Sequence, residues 1–241
     1  RMEALGVTFL TGAPLTDIVV KNGTVSGTYK DQTVTGDLLL VAVGRRPNTA
    51  ALDLARAGVK IDERGTIPVD AQGRTNVASI FAVGDLVTGS IQLAHAATQQ
   101  GEAAVEAAAG LKSHVEKLCP SCIFTSPEIG LAGLTEAKAQ QLGLTVKTAT
   151  FPFSALGKAM AAGETDGFVK WICDAASGQV LGAQAVGAHA TELIAEAALA
   201  IRNELTVDEV GRTIHSHPTM SEAWMEAAHA FHNACIHLPK R

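Results

Sequence analysis

Cysteine is scarce, with four residues in a chain of 241. That is too few for a disulfide scaffold, and a reducing compartment, the cytoplasm, is the expectation. Long hydrophobic runs are missing as well. The longest, LLLVAV at residues 38–43, falls far short of the ~20 residues that span a bilayer, so no membrane is expected as a partner. Positive charge is not in excess: 19 lysines and arginines against 24 acidic residues give a net charge of −5. With no basic stripe, nucleic acid is not expected as the main partner. There is no repeat, no low-complexity tract and no signal peptide at the start. The dinucleotide fingerprint G-x-G-x-x-G is absent throughout.

What the chain does have is a 47% hydrophobic composition, enough for one large core or two small ones. It opens on Arg1 in what reads as the middle of a domain, and the expectation is that these residues are the back half of a longer polypeptide. Residues 17–43 read as a β-meander. Asn22-Gly23 gives a hairpin turn, a second turn falls near Lys30-Asp31, and Leu38–Val43 reads as a strand buried on both faces. Residues 51–58 read as a short helix, and residues 80–86 (IFAVGDL) as a second buried strand. A helix over 93–110 follows, made of strong helix formers and stopped by Gly110. The polar stretch 111–119 reads as a domain boundary. Beyond it, CIFTS, IGLAGL, TVKTATF, GFVKWICD and QVLGAQAVG read as strands. Helices are expected at 135–142, 190–203, 206–213 and 220–232. Strands joined by tight turns, with helices packed on them, make an α+β domain with an antiparallel sheet.

Four places carry possible chemistry. Asp85 follows a buried run at what would be the carboxyl edge of a sheet, where ligands bind in open α/β folds. It could accept a sugar or ribitol hydroxyl, or it could be an ordinary turn aspartate. Gly84 before it admits close approach, and the helix that begins near Leu93–His95 has free N–H groups for phosphate oxygens. Gly44, in VAVGRRPNT, could lie against a ligand, with Arg45 and Arg46 as anion partners, or could simply end a strand. Cys119-Pro-Ser-Cys122 is a C-x-x-C, but a β-like run follows it where a thioredoxin-like site has a helix, and no second C-x-x-C completes a zinc site. Cys173 and Cys235 are isolated.

The fourth is TIHSHPTMSEA. Pro218 keeps His217 outside the helix that follows. Thr219-x-x-Glu222 matches a capping box with Thr219 as N-cap. Alternatively, Glu222 holds the His217 imidazole in one tautomer and stabilises its charged form, which makes a general base. His215 and His217 as metal ligands would need further partners, none of which is indicated. Behind them Trp224, Ala227, Ala228, Phe231 and Cys235 recur at helical spacing as a core face.

VAVGRRPNT, then IFAVGDL with LAHAATQQGEAA, then TSPEIGLAGLTEAKAQ with GFVKWI and VLGAQAVG, then HSHPTMSEA, stand in one order over most of the chain. Together they resemble the carboxyl-terminal half of the flavin-dependent pyridine nucleotide–disulfide oxidoreductases, and within them most resemble the dihydrolipoamide dehydrogenases. The resemblance implies α/β and α+β architecture. Residues 1–43 would end the NAD-binding domain, 44–114 would be the returning part of the FAD-binding domain, and 115–241 the interface domain of a homodimer. Asp85 would bind the ribitol of FAD, Gln92, Leu93, Ala94 and His95 would form the loop under the flavin, and Gly44 would lie against NAD. His217 and Glu222 would be the base and its carboxylate, serving a disulfide of the other subunit. The partner implied is the lipoyl-bearing component of a 2-oxo acid dehydrogenase complex. The family's C-x-x-x-x-C redox pair does not occur in this chain. A catalytically silent dimerisation module, a glutathione- or mercuric-type reductase and a zinc module are the alternatives.

Overall fold

A computed structural model describes residues 1–239, and the chain divides into two compact units, Arg1–Arg46 and a second that begins at Pro47. The first unit holds a three-stranded antiparallel meander. Strand β1 (Leu15–Lys21) pairs with β2 (Thr24–Tyr29), and β2 with β3 (Gln32–Gly36). Asn22-Gly23 and Lys30-Asp31 make the two turns, as their residue types predict.

The run Leu38–Val43 departs from expectation. It forms no strand, and Leu38, Leu40 and Val43 are 87%, 84% and 93% exposed. A strand buried on both faces needs hydrogen-bonded neighbours and a cover for each face. The described strands of this unit are the three of the meander, and they pair with one another.

The second unit begins with irregular chain. Where residues 51–58 were expected to be helical, a single 3-10 turn at Ala50–Leu52 is followed by turns. Residues 80–86 are not a strand either. Phe81 makes one bridge to Arg74 and Val87 one to Ile67, and neither extends into a ladder. The segment is still a local core, in which Val59, Ile67, Ala82 and Val87 are buried together. Helix α1 (Ala94–Ala108) follows.

The rest is the α+β part, and its elements fall where alternation and helical spacing place them, except a short helix over residues 157–162 that was not expected. Five antiparallel strands, β4 (Ser121–Ile123), β5 (Glu128–Gly133), β6 (Val146–Pro152), β7 (Gly167–Asp174) and β8 (Val180–Gly187), lie in the order β4-β5-β8-β7-β6. Helices α2 (Glu136–Gln141), α3 (Gly157–Ala162), α4 (Ala190–Arg202), α5 (Val207–Arg212) and α6 (Glu222–Phe231) complete it.

One row of side chains explains how the helices seat. Ala149, Trp171, Ala183 and Ala132 stand opposite one another across β6, β7, β8 and β5, and all four are buried. One indole among three methyl groups leaves room for helices to come down onto the sheet. Helix α4 packs on β5 and β8, and α6 on β6 and β7. At Gly130 in β5, an added Cβ would overlap the Ala190 carbonyl oxygen and lie 2.9 Å from Ile194 Cβ, so this position must lack a side chain for α4 to sit this close. Among the described residues, no helix is long and apolar enough to cross a membrane.

Candidate functional site

His217 lies in the loop 213–221 between α5 and α6, and the His217–Pro218 peptide is cis. The loop closes on itself through Thr219 Oγ1, which donates to the Ser216 carbonyl at 2.7 Å. Helix α6 starts at Glu222 with Ser221 at the N-cap position. This corrects the expectation that Thr219 is the N-cap, because the helix starts two residues later than such a cap requires. Half of the capping box remains: Glu222 Oε2 accepts the Thr219 backbone N–H at 2.7 Å.

The other carboxylate oxygen, Glu222 Oε1, lies 2.9 Å from His217 Nδ1. One buried carboxylate therefore holds both the loop backbone and the imidazole. Burial pushes the Glu222 carboxyl up, but the Thr219 N–H and the bond to His217 together outweigh it and hold the group below the ordinary carboxylate range. An ionised carboxylate only accepts, so in the neutral ring the proton sits on Nδ1 and Nε2 keeps its lone pair. The ring is 71% exposed, with Gly157 at the start of α3 beside its Cε1. A fixed tautomer, an open Nε2 and a charged partner behind Nδ1 are what a general base requires.

The second group is built around α1. Residues Gly84–Leu86, which include Asp85, form a 3-10 turn packed against that helix. Gly84 has φ +80°, an added Cβ there would come 3.3 Å from Ala97 Cβ, and its N–H donates to Gln100 Oε1 at 2.7 Å. A glycine is what lets the turn lie against the helix. Helix α1 opens after Leu93 with no side-chain cap, so its first N–H groups remain donors for an outside acceptor. Gln92 and Ala94 are exposed and Leu93 half-buried, whereas the His95 ring is tied by Nε2 to the Pro120 carbonyl at 2.7 Å. An acidic residue in the turn against the helix and a helix start with no side-chain cap are group types that a ligand bearing hydroxyl and phosphate oxygens would need. Gly44 belongs to the first unit, with φ +124° and nothing within 4 Å of an added Cβ. Arg45 and Arg46 beside it are exposed.

Further carboxylate–histidine pairs escaped the sequence reading, among them His232 with Asp208, Nε2 to Oδ1, at 2.7 Å. Glu196 on α4 meets His215, Oε1 to Nε2, at 2.6 Å. Glu226 on α6 is fully buried and accepts from Ile236 N at 3.0 Å, with His237 Nδ1 at 2.8 Å, which pins the C-terminal tail to the helix. Among the described residues no cluster of three or more histidine, cysteine or acidic side chains is arranged to hold a metal ion.

Residues 1–101 match the pyridine nucleotide-disulphide oxidoreductase family, and residues 119–228 match the pyridine nucleotide-disulphide oxidoreductase dimerisation domain. The chain belongs to this oxidoreductase family. The dihydrolipoyl dehydrogenase of Chlamydia muridarum is 46% identical over 97% of this chain and 50% of its own length. That of Bacillus subtilis is 43% identical over 88% of this chain and 45% of its own length. Among solved structures, LpdA from Mycobacterium tuberculosis superposes with a TM-score of 0.83 at 31% identity, covering 90% of this chain and 48% of that one. The HOCl-induced flavoprotein disulfide reductase RclA from Escherichia coli gives 0.84 at 27%, covering 90% and 50%. The chain spans about half the length of the curated relatives it matches.

In this oxidoreductase chain all four cysteines are free thiols. Burial pushes the thiol of Cys119 up, burial and the carboxylates of Glu128 and Glu192 push up that of Cys122, and burial with Glu226 raises Cys235. Burial drives Cys173 up to about 12. None has the lowered pKa of a thioredoxin-like nucleophile, so the C-x-x-C is two ordinary thiols. In the folded protein at pH 7, Cys119 and Cys122 should react with a disulfide reagent more slowly than free cysteine, and Cys173 only after unfolding. Thiol titration with and without denaturant checks this; a fast native phase at Cys119 contradicts it.

Proposed function

We propose that this chain is the carboxyl-terminal part of a dihydrolipoyl dehydrogenase, which oxidises a dihydrolipoyl dithiol and passes the electrons through FAD to NAD. The observation that carries the reading is the His217–Glu222 pair at 2.9 Å, with an exposed Nε2 on a ring whose tautomer is fixed. Relatives named dihydrolipoyl dehydrogenase match almost end to end on this chain and support it.

In this reading His217 Nε2 takes the proton of a substrate thiol. The thiolate attacks a disulfide outside this chain, one sulfur leaves as thiolate, and the second substrate sulfur completes the exchange, so the substrate is oxidised as that disulfide is reduced. Glu222 stabilises the imidazolium formed on the way. Bound FAD supplies the two-electron relay from the reduced disulfide to NAD. Asp85 and the Gln92–His95 stretch would hold FAD, and Gly44 would lie against NAD. Residues 1–43 would end the NAD-binding domain, 44–114 belong to the FAD-binding domain, and 115–241 form the interface of a homodimer that works in the cytoplasm. The physiological partner would be the lipoyl-bearing component of a 2-oxo acid dehydrogenase complex.

The test is steady-state NAD reduction by the purified full-length protein. Yellow, flavin-loaded protein that reduces NAD with dihydrolipoamide is the expected result. Protein that holds flavin but turns over another disulfide or dithiol, and not dihydrolipoamide, overturns the substrate assignment.

A further inference from the structure

Two histidines two residues apart stand in opposite surroundings. The His215 side chain is 5% exposed and that of His217 is 71% exposed. His217 has one ring nitrogen on a carboxylate and the other open. His215 has both ring nitrogens on acceptors: Nε2 is 2.6 Å from Glu196 Oε1, and Nδ1 is 2.9 Å from the Thr213 carbonyl.

A carbonyl oxygen can only accept. Glu196 is 38% exposed, and a carboxylate also only accepts. A neutral imidazole has one N–H, and would turn a lone pair onto one of these two oxygens. The arrangement is satisfied only by a ring with two N–H groups, which is an imidazolium. The surroundings agree: the bond to Glu196 acts first to raise the His215 pKa, burial opposes it, and the Thr213 carbonyl and the charges of Glu196 and Glu222 add to the rise.

We infer that His215 is a positioning residue, a buried cation clamped by Glu196 that fixes the His217 loop to α4 and sets the pH range in which the His217–Glu222 pair works. The inference rests on the reading of His217 as the base. Glu196 stands on α4, which packs on β5 and β8, so the clamp ties residues 213–217 to the sheet through one charged bond. The charge also reaches the pair. His215 faces Glu196 from α4 and Glu222 from α6, while Glu222 faces His217 from the same loop and His237 from the tail. Beside the His217 ring, α3 contributes Gly157, which is uncharged. A cation behind Glu222 offsets part of that carboxylate's pull on the His217 proton. It therefore keeps Nε2 available as a base to lower pH.

The experiment compares wild type, Glu196→Gln and His215→Gln in the full-length protein. Glu196→Gln keeps the size and an acceptor oxygen, so it tests charge with little risk to folding. In His215→Gln the acid limb of the kcat/KM profile for dihydrolipoamide should move to higher pH by roughly one unit, the scale of a nearby unit charge in partly solvated surroundings, whereas Glu196→Gln removes an anion together with the support of the cation, so its limb should move less. A role in packing alone lowers the rate and leaves the limb in place, and an unmoved limb in His215→Gln overturns the inference. Histidine-selective 15N spectra give the second readout. His215 should show two protonated nitrogens at pH 7.5 in the wild type, and a neutral tautomer there overturns the inference. The spectra need no turnover. If dihydrolipoamide is not oxidised at all, the base reading fails, and the protonation state of His215 is still decided.

Discussion

Replacing His217 by alanine in the full-length protein should lower dithiol oxidation by about 10²–10⁴-fold, the usual contribution of a positioned general base. The loss should fall on the step that needs a thiolate. Electron transfer from NADH to an artificial acceptor requires no proton from a thiol, so that activity should stay near wild type. The contrast follows from geometry: Nε2 is the open atom of the ring, and Nδ1 is held by Glu222 at 2.9 Å. Glu222→Gln should fall between wild type and His217→Ala. The amide can still accept from Thr219 and so keep the loop, but it no longer carries the charge that steadies the imidazolium. Parallel assays of the two half-reactions check this, and a His217→Ala enzyme that oxidises dihydrolipoamide at the normal rate would sink the assignment.

His217 and Glu222 were legible in the sequence because their pairing is local. A proline fixes the loop, a helix begins a few residues later, and the carboxylate at the first helical position reaches back. The capping reading and the dyad reading each name a contact of one oxygen of the same side chain, and both contacts are made. Thr219 was misplaced as the cap because a Thr-x-x-Glu spacing does not reveal that the helix starts only at Glu222. The pair His215–Glu196 spans 19 residues and crosses from the loop to α4. No periodicity predicts it, because it exists only once α4 and α6 have packed on the sheet. Glu226 reads as one more polar helix position, and its burial is created by the tail that folds back over it.

The same contrast separates the two halves of the fold. The strands β5 to β8 are strand-like runs bounded by turn residues, so pattern placed each of them, although it did not show that β5 pairs with β8, across β6 and β7 in the sequence. Leu38–Val43 has an equally clear pattern, but hydrophobicity says only that a segment wants burial. Whether it becomes a strand depends on a partner and on a cover for each face, and among the described residues its own unit supplies only the three-stranded meander. The Ile80–Leu86 segment is intermediate. It gains a small apolar core and one isolated bridge at Phe81, with a second at Val87 just beyond it, which bury it without making a ladder.

Trp224→Ala should destabilise the α+β part of the chain by about 3–5 kcal/mol, the range for truncating a large buried aromatic. The side chain is fully buried, its ring lies 4.3 Å from that of Trp171, and three elements meet at it. Its indole N–H donates to the Leu193 carbonyl of α4, and its backbone carbonyl accepts the Trp171 indole N–H from β7, each at 3.0 Å. Truncation removes the contacts that fill the space above the alanine row. It also leaves the side-chain bond to Leu193 unmade, while the Trp171 bond, which goes to backbone, survives. Trp224→Phe separates the two losses, since it keeps most of the volume and removes the donor, and should cost about 1–3 kcal/mol. Denaturant unfolding with tryptophan emission reads this site directly, because both tryptophans of the chain are in the cluster. A functional loss should accompany the larger defect. Glu222 lies two residues ahead of Trp224 on α6, so a helix that loses its anchor on β7 and α4 also loosens the carboxylate that holds His217. Dithiol oxidation should therefore fall in Trp224→Ala well below the temperature at which the domain unfolds, and stay close to wild type in Trp224→Phe. Equal activity in all three proteins would show that packing under α6 does not position the pair.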